Sequence, residues 1–546
     1  NLWIATDNGL NKFDKAKGNF KVYNRFLFNN EVILTNSFTD IMEDQTGILW
    51  LGAYQGLLKI EKQDKKFKLF DESEDHLPLF SNNYITALYK TGGVVWVGTW
   101  GAGLHWFNPK TRENIKYNTA NNSLRNDYIY RIYEDDIGRV WIGTQDGLTY
   151  YEMSTNQFKS LKRKDVLSVL KNNRIFDILT DENNDLWVAA KFGLHHIMED
   201  TVVSYYHDAD KSTSLGSDLV FDIHFDNDHN LWIATEKGLN YLDRKNNELT
   251  LFKRSSNDCT NCFSSNEIYC LYQDTVHNYL WLGTNAGLNR FDLQSKSVKV
   301  YTEKDGLSNN LIYSILPGDS GNLWMSTNKG LSQFILDGEV FNNFGVLDGL
   351  QDFEFNHGAA YKSETGELFF GGIAGYNSFY PDSIVKNHQI PNVEITSVEV
   401  LSDKISKKVS IGEDKQIEVP YKSNLISIEF AVLDFTNPIK NKYAYKLEGV
   451  EEEWIHHGNR KYATFTNLPP GEYTFTVIGS NSDNIWNEQG ASLDIIVQTP
   501  LWRTKFSYAV YILFTIGFIF WLIQYRTRTL RRSNQELKDK EQVAKQ

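Results

Sequence analysis

Leu2-Trp3-Ile4-Ala5-Thr6-Asp7-Asn8-Gly9-Leu10 is a unit that the rest of the chain repeats. Its tryptophan returns at Trp50, Trp96, Trp141, Trp187, Trp232, Trp281 and Trp324, and Phe369 takes the place in a ninth copy. The intervals run from 43 to 49 residues, a period that marks a solenoid or a propeller. Runs such as Val140-Trp141-Ile142 and Leu280-Trp281-Leu282 have no polar face, which suits a strand buried on both sides. Two positions after the ring the residue is always small, as in Gly98, Gly143, Ala189 and Gly283, so that a neighbouring sheet can approach closely. Six positions after the ring stands a glycine, from Gly9 to Gly375, suited to a tight turn with positive φ. In the third copy that glycine comes one residue late, at Gly103.

Each repeat reads as three more strands. In one copy these are Asn289-Arg290-Phe291-Asp292, Val298-Lys299-Val300-Tyr301 and Ile312-Tyr313-Ser314-Ile315-Leu316. Four strands per repeat match a propeller blade. Innermost-type strands begin near Asn83, Asp127, Arg174, Asp218, Glu267, Leu311 and Phe353, which predicts a seven-bladed β-propeller over residues 66–380. The last blade lacks a clear fourth strand, and Lys66-Phe67-Lys68-Leu69-Phe70 has the pattern to supply it. Residues 1–65 are then expected to be the last blades of a truncated first propeller. Asn1 falls at the edge of a strand with no Met or signal peptide, so the chain reads as a fragment.

From residue 381 to 500 the pattern becomes short alternating strands. They run from Val393 to Val400, Leu425 to Val432, Tyr443 to Leu447, Tyr473 to Ile478 and Leu493 to Val497, with turn signals such as Leu468-Pro469-Pro470-Gly471 between them. The spacing predicts an immunoglobulin-like β-sandwich. Residues 506–525 carry no charge, and a helix of that length spans a hydrocarbon core of roughly 30 Å. Trp502, Tyr508, Trp521 and Tyr525 sit toward its ends, as interfacial aromatics do. Arg526, Arg528, Arg531 and Arg532 follow, against Arg503 and Lys505 before it, so the C-terminal end is expected in the cytoplasm and residues 1–505 in the periplasm. Residues 526–546 read as the start of a cytoplasmic signalling helix, or as a solvated tail.

Composition agrees with an all-β chain dense in turns: aromatics make up 14%, and glycines number 37. A net charge of −13 argues against a nucleic-acid-binding surface. Three cysteines cannot form a disulfide framework. Cys259 and Cys262 are close enough in sequence for a loop disulfide and equally readable as two inert thiols, while Cys270 reads as core. His195-His196 and His456-His457 are neighbours that strands would point to opposite faces. Asp135-Asp136 and Asp226-Asn227-Asp228 precede tryptophan strands, where Asp favours a turn over a calcium site. No phosphate-binding glycine loop or nucleophile elbow is present. No cofactor, metal site or catalytic residue is expected.

These features together resemble a known family. The repeated unit resembles the two-component regulator propeller repeat. Phe355-Asn356-His357-Gly358-Ala359, with Phe369-Phe370-Gly371-Gly372 and Gly375-Tyr376-Asn377, resembles that propeller's closing blade. Tyr443-Ala444-Tyr445-Lys446-Leu447-Glu448-Gly449, Glu453-Trp454, Asn467-Leu468-Pro469-Pro470-Gly471-Glu472-Tyr473 and Asn484-Ile485-Trp486 resemble the triple-tyrosine domain that follows such propellers. The resemblance implies the periplasmic sensor of a hybrid two-component system that detects glycan-derived oligosaccharides. It is anchored in the inner membrane by one helix, expected to form a homodimer, and followed by a histidine kinase. Full-length members carry two propellers, and this chain has at most nine blade copies and no kinase motif. The alternative is a membrane-tethered propeller enzyme acting on glycans, which would need paired carboxylates in the funnel.

Variable turn residues on a rigid scaffold are the candidate ligand contacts. Trp100 leads them, because its turn carries the extra residue and an aromatic platform suits a sugar face. His105 and Trp106 lie close by in sequence. Tyr54, Lys191, Phe192, Lys237 and Lys329 complete the set, and the lysines suit an acidic sugar.

Overall fold

In a computed structural model the chain is described from residue 2 to 544, apart from residues 8, 24–25, 29–30, 34–36, 55, 61–65, 72–78, 122, 255–260, 319–320, 385–386, 403–404, 412–414 and 422. It divides into two compact units, Asp64–Val385 and the pair of segments Asn1–Gln63 and Lys386–Gln546.

The first unit is a ring of seven four-stranded antiparallel sheets among the described residues. The innermost strands are Ile85–Thr91, Ile129–Glu134, Ile175–Thr180, Val220–Phe225, Ile268–Asp274, Ile312–Pro317 and Phe355–Lys362. Each packs against the next, and the seventh returns to the first. The tryptophan strand is second in every blade, and the strand Lys68–Phe70 supplies the fourth strand of the seventh blade. There Phe70 pairs with Tyr376, Leu69 with Asn377 and Lys68 with Ser378.

The repeat residues explain this packing. Trp96, Trp141, Trp187, Trp281 and Trp324 are at most 1% exposed between adjacent blades. The small residue beside the ring is a close approach: a Cβ on Gly143 would stand 2.9 Å from Ile175 Cγ2 of the following blade. The threonine has its own role. Thr284 Oγ1 donates to Gly287 O at 2.8 Å and accepts from Ala286 N at 3.0 Å, closing the turn that brings Gly287 to φ 125°. Thr99 makes the corresponding bond to Gly103 O at 2.7 Å across the longer turn.

Among the described residues, the second unit holds two three-stranded sheets, a two-stranded sheet of Phe26–Phe28 and Glu31–Ile33, and a sandwich. The three-stranded sheets comprise Leu2–Thr6, Gly9–Asp14 and Asn19–Tyr23, and Phe38–Glu43, Leu49–Ala53 and Gly56–Ile60. One sandwich sheet has the order Ile405–Val409, Val393–Ser402, Ser423–Val432, Tyr462–Thr466. The other has the order Gln416–Val419, Trp486–Val497, Gly471–Ser480, Lys442–Glu448, Ile455–Gly458, with the first pair parallel. Val398, Ile428, Leu447, Phe475 and Ile495 are buried between them. Trp50 meets Phe435 edge-on at 5.4 Å, joining the second small sheet to the sandwich. The helix Lys505–Ala544 is long and apolar enough to cross a membrane, and it continues unbroken through the arginines.

Candidate functional site

One irregularity repeats in the innermost strands. In six blades the register skips a residue, between Ile85 and Ala87, Ile129 and Arg131, Ile175 and Asp177, Val220 and Asp222, Ile268 and Cys270, and Ile312 and Ser314. A bulge re-aims the side chain it leaves unpaired. Here those side chains are Thr86, Tyr130, Phe176, Phe221, Tyr269 and Tyr313. Phe176 and Phe221 lie 5.6 Å apart, and Phe221 and Tyr269 5.1 Å apart, so the rings form a continuous girdle. The seventh blade has a longer irregularity, between Phe355 and Ala360, which places His357 against three of those rings. His357 stands 6.0 Å from Phe176, 5.6 Å from Phe221 and 5.8 Å from Tyr269. Its Nε2 donates to Tyr269 O at 2.9 Å, and burial pushes its pKa down, so the ring is held neutral.

This aromatic layer separates two cavities. Five residues, Phe176, Phe221, Tyr269, Tyr313 and His357, line both. The first cavity, a basin of about 330 Å³, adds Tyr84, Trp100, Tyr130, Arg174, Lys191 and Glu354. Trp100 is 40% exposed and walled on three sides, by Tyr84 at 5.7 Å, Tyr128 at 5.5 Å and Tyr130 at 5.6 Å. Its backbone is fixed too: Trp100 N donates to Tyr84 O at 3.0 Å, and Asn82 Nδ2 donates to Trp100 O at 2.6 Å. The Arg174 guanidinium lies 4.7 Å from the Tyr130 ring centre, and Lys191 N donates to Arg174 O at 2.9 Å.

The structure brings Trp100 and Lys191 together in this basin and places the other candidates elsewhere. Phe192 is half exposed beside Lys191 but outside the lining. His105 is 1% exposed, packed on Phe80 at 5.4 Å with Nδ1 2.9 Å from Asn114 Oδ1; it belongs to the interior of the first blade and does not face the basin. Trp106, next on the same strand, packs against the core between the first two blades. Lys237 and Lys329 are exposed turn residues whose backbone N–H groups donate to Thr235 and Thr327. Tyr54 is 84% exposed in the other unit. Arg174, Tyr84 and Tyr130 escaped the sequence reading because the bulge that aims Tyr130 leaves no mark in the repeat pattern. His195 is fully buried and donates from Nε2 to Phe192 O at 3.1 Å, bracing the turn that carries Lys191. Burial lowers its pKa to about 4.

The second cavity, about 240 Å³, holds Arg131, Asp177, Asp222, His224, Cys270 and Lys362. Here the fold does pair two carboxyls. Burial and the neighbouring Asp177 charge push the pKa of Asp222 well up. Asp177 Oδ1 accepts from Ile178 N at 2.8 Å, and Asp222 Oδ1 from Ile223 N at 3.2 Å. Their remaining oxygens are engaged as well: Asp177 Oδ2 accepts from Ile223 N at 3.1 Å, Asp222 Oδ2 from Leu271 N at 2.7 Å, and Arg131 Nε lies 2.7 Å from Asp177 Oδ1. These are staples between blades.

Other polar clusters are likewise engaged. Asp135 Oδ1 accepts from the backbone N–H groups of Ile137 and Arg139, and Oδ2 from Trp141 Nε1 at 2.8 Å. Asp226 closes its own turn in the same way. Asp181, Asp185 and His196 bring ligand atoms within 4.8 Å of one another, but Arg244 Nη2 stands 2.6 Å from Asp181 Oδ2 and supplies the positive charge. His196 stacks on Trp187 at 4.0 Å, on the face opposite His195. Cys262 is disulfide-bonded and Cys270 is a buried free thiol; the reading of Cys259 lies outside the described residues.

Comparison with known proteins agrees with this architecture. Residues 123–146 and 306–329 match the two component regulator propeller family, and residues 434–498 match the Y_Y_Y domain. The chain is 28% identical over 478 residues to histidine kinase P4 of Formosa agariphila, covering 85% of this chain and 28% of that protein. The extracellular domain of BT3049 from B. thetaiotaomicron, named as a hybrid two component system, superimposes with a TM-score of 0.76 at 26% identity, covering 91% of this chain and 66% of that one. The chain thus spans under two thirds of each relative's length. It carries two segments that match the two component regulator propeller family, then a segment that matches the Y_Y_Y domain and one apolar helix, and over nine-tenths of its length its likeness is to the extracellular domain of a hybrid two component system.

Proposed function

We propose that this chain is the ligand-sensing region of a single-pass receptor, and that the Trp100 basin takes a glycan-derived oligosaccharide. The observation that carries the reading is the basin itself: an aromatic-walled concavity with a few polar groups, in a chain similar to a protein named as a histidine kinase and to the extracellular domain of a hybrid two component system. Aromatic rings offer sugars a flat apolar face. In this reading the chain does no chemistry of its own, and Asp177 and Asp222 in the second cavity serve to bond the blades. Residues 1–505 lie in the periplasm and the helix crosses the inner membrane. The output beyond it is a histidine kinase, and the receptor works as a homodimer. Binding signals only if the ligand prefers one of two conformations, so that occupancy shifts their populations.

Titration calorimetry of an oligosaccharide panel against the full chain in detergent, with Trp100→Ala alongside, tests this reading. A binder weakened roughly tenfold or more by Trp100→Ala is expected. A binder indifferent to Trp100 would place the site elsewhere.

A further inference from the structure

The basin contains a cation, Arg174, that forms no ion pair among the described residues. Its Nε is buried without a hydrogen-bond partner. Its guanidinium lies over Tyr130 at 4.7 Å and near Phe176 at 5.8 Å, so aromatic faces, not carboxylates, surround it. Tyr130 OH is also buried without a partner. Unpaired buried polar groups are costly and are seldom left so without a reason. Lys191 adds a second positive charge, its backbone bonded to Arg174 and its Nζ over the Phe192 ring at 5.0 Å. The lining also holds one acidic residue, Glu354, which makes no ion pair with Arg174 among the described residues. A basin richer in cations than acids, on a chain of net charge −13, is a local feature and not an average of the surface.

We infer that the ligand is an anionic saccharide. Its carboxylate or sulfate seats on Arg174 with help from Lys191 and Tyr130 OH, and its sugar face lies on Trp100. This inference rests on the sensing role proposed above. A guanidinium presents a planar fork that matches a carboxylate or sulfate in a way a neutral hydroxyl does not. Trp100 and Arg174 both border the Tyr130 ring, at 5.6 and 4.7 Å, so one sugar unit can touch both.

The test uses the full chain in detergent and pairs of di- to tetrasaccharides. Uronate-bearing members are paired with their carboxyl-reduced forms, and O-sulfated members with their desulfated forms. The two arms separate carboxylate from sulfate recognition. Charged members are expected to bind at least roughly tenfold more tightly than their neutral forms. Arg174→Gln should abolish the difference within a pair, Arg174→Lys should retain part of it, and Lys191→Gln should reduce it. Trp100→Ala should weaken both members alike. A neutral form that binds as well as its charged partner overturns the inference and leaves the sensing role standing, as does a charge preference that survives both Arg174→Gln and Lys191→Gln. A Trp100-independent binder overturns the site itself. Thermal melts of each variant identify a fold defect, and Lys191→Gln, on an exposed turn, keeps the question decidable if Arg174→Gln fails to fold.

Discussion

Asp177 and Asp222 occupy equivalent positions in neighbouring blades, and each accepts a backbone N–H from the blade that follows. Asp177 sits against Arg131 at 2.7 Å, while burial and that same Asp177 charge push the pKa of Asp222 well up. The sign of the linkage follows. The folded-state pKa of Asp222 lies above its unfolded value, so folding takes up a proton. The stability it contributes is complete below about pH 4 and is lost as pH rises through the folded pKa. His195 and His357 act oppositely: burial lowers both, His195 to about 4, so their contribution is present above about pH 6.5 and lost as pH falls. Asp222→Asn can still accept from Leu271 N, but has no proton to take up. It should stabilise the protein at pH 8 by on the order of 1 kcal/mol, with the gain shrinking toward pH 4 and the acid limb unchanged. Thermal melts across that range decide it, and an offset independent of pH would show that Asp222 takes up no proton. Residues of this kind are poorly legible in sequence. Trp100 stood out because its turn is one residue long by the standard of the repeat, whereas Asp177, Asp222 and Arg174 became neighbours of the channel only through bulges and blade order.

The propeller closes through a short strand from far back in the chain. Lys68–Phe70 makes three residue pairs with a strand more than 300 positions away, so loop closure opposes it and side chains must hold it. Phe67, 1% exposed, meets Phe379 at 4.7 Å, Phe344 at 5.2 Å and Trp324 at 6.4 Å, all near-perpendicular. Phe67→Ala should cost about 3–5 kcal/mol, read from the denaturant midpoint, with red-shifted tryptophan emission as Trp324 meets water. An unchanged midpoint would mean that the ring is closed by other contacts. The blades and this strand were legible because apolar alternation and the turn glycine recur at one period. Elements outside the period were not. The helix Lys164–Leu170 buries only Val166 and Leu170, too short an apolar stripe to announce itself. The sandwich edge strands Ile405–Val409, Gln416–Val419, Ile455–Gly458 and Tyr462–Thr466 are short and largely polar, and tertiary pairing, not local preference, makes them strands.

At the scale of the whole molecule, the helix Lys505–Ala544 sets what a signal can do. Forty residues give a rod of about 60 Å, twice the hydrocarbon thickness. The apolar run accounts for its first half, and the sequence marked that half as the span. The polar half continues as helix because residues 526–544 contain neither glycine nor proline to stop it. In the receptor proposed above, a change at the sandwich end of a continuous helix would be delivered as a shift or rotation of the far end, without a glycine or proline hinge to absorb it. Which end faces the cytoplasm follows from charge: Arg526, Arg528, Arg531 and Arg532 cluster on one side, against Arg503 and Lys505 on the other. With Cys270 buried, single cysteines at Ser507→Cys and Ser533→Cys report the two sides. On intact cells with a permeabilised outer membrane, a membrane-impermeant maleimide should label Ser507→Cys and spare Ser533→Cys until the inner membrane is broken. Labelling of Ser533→Cys in intact cells would reverse the orientation. It would also put the Trp100 basin in the cytoplasm, where a receptor for external saccharides could not work.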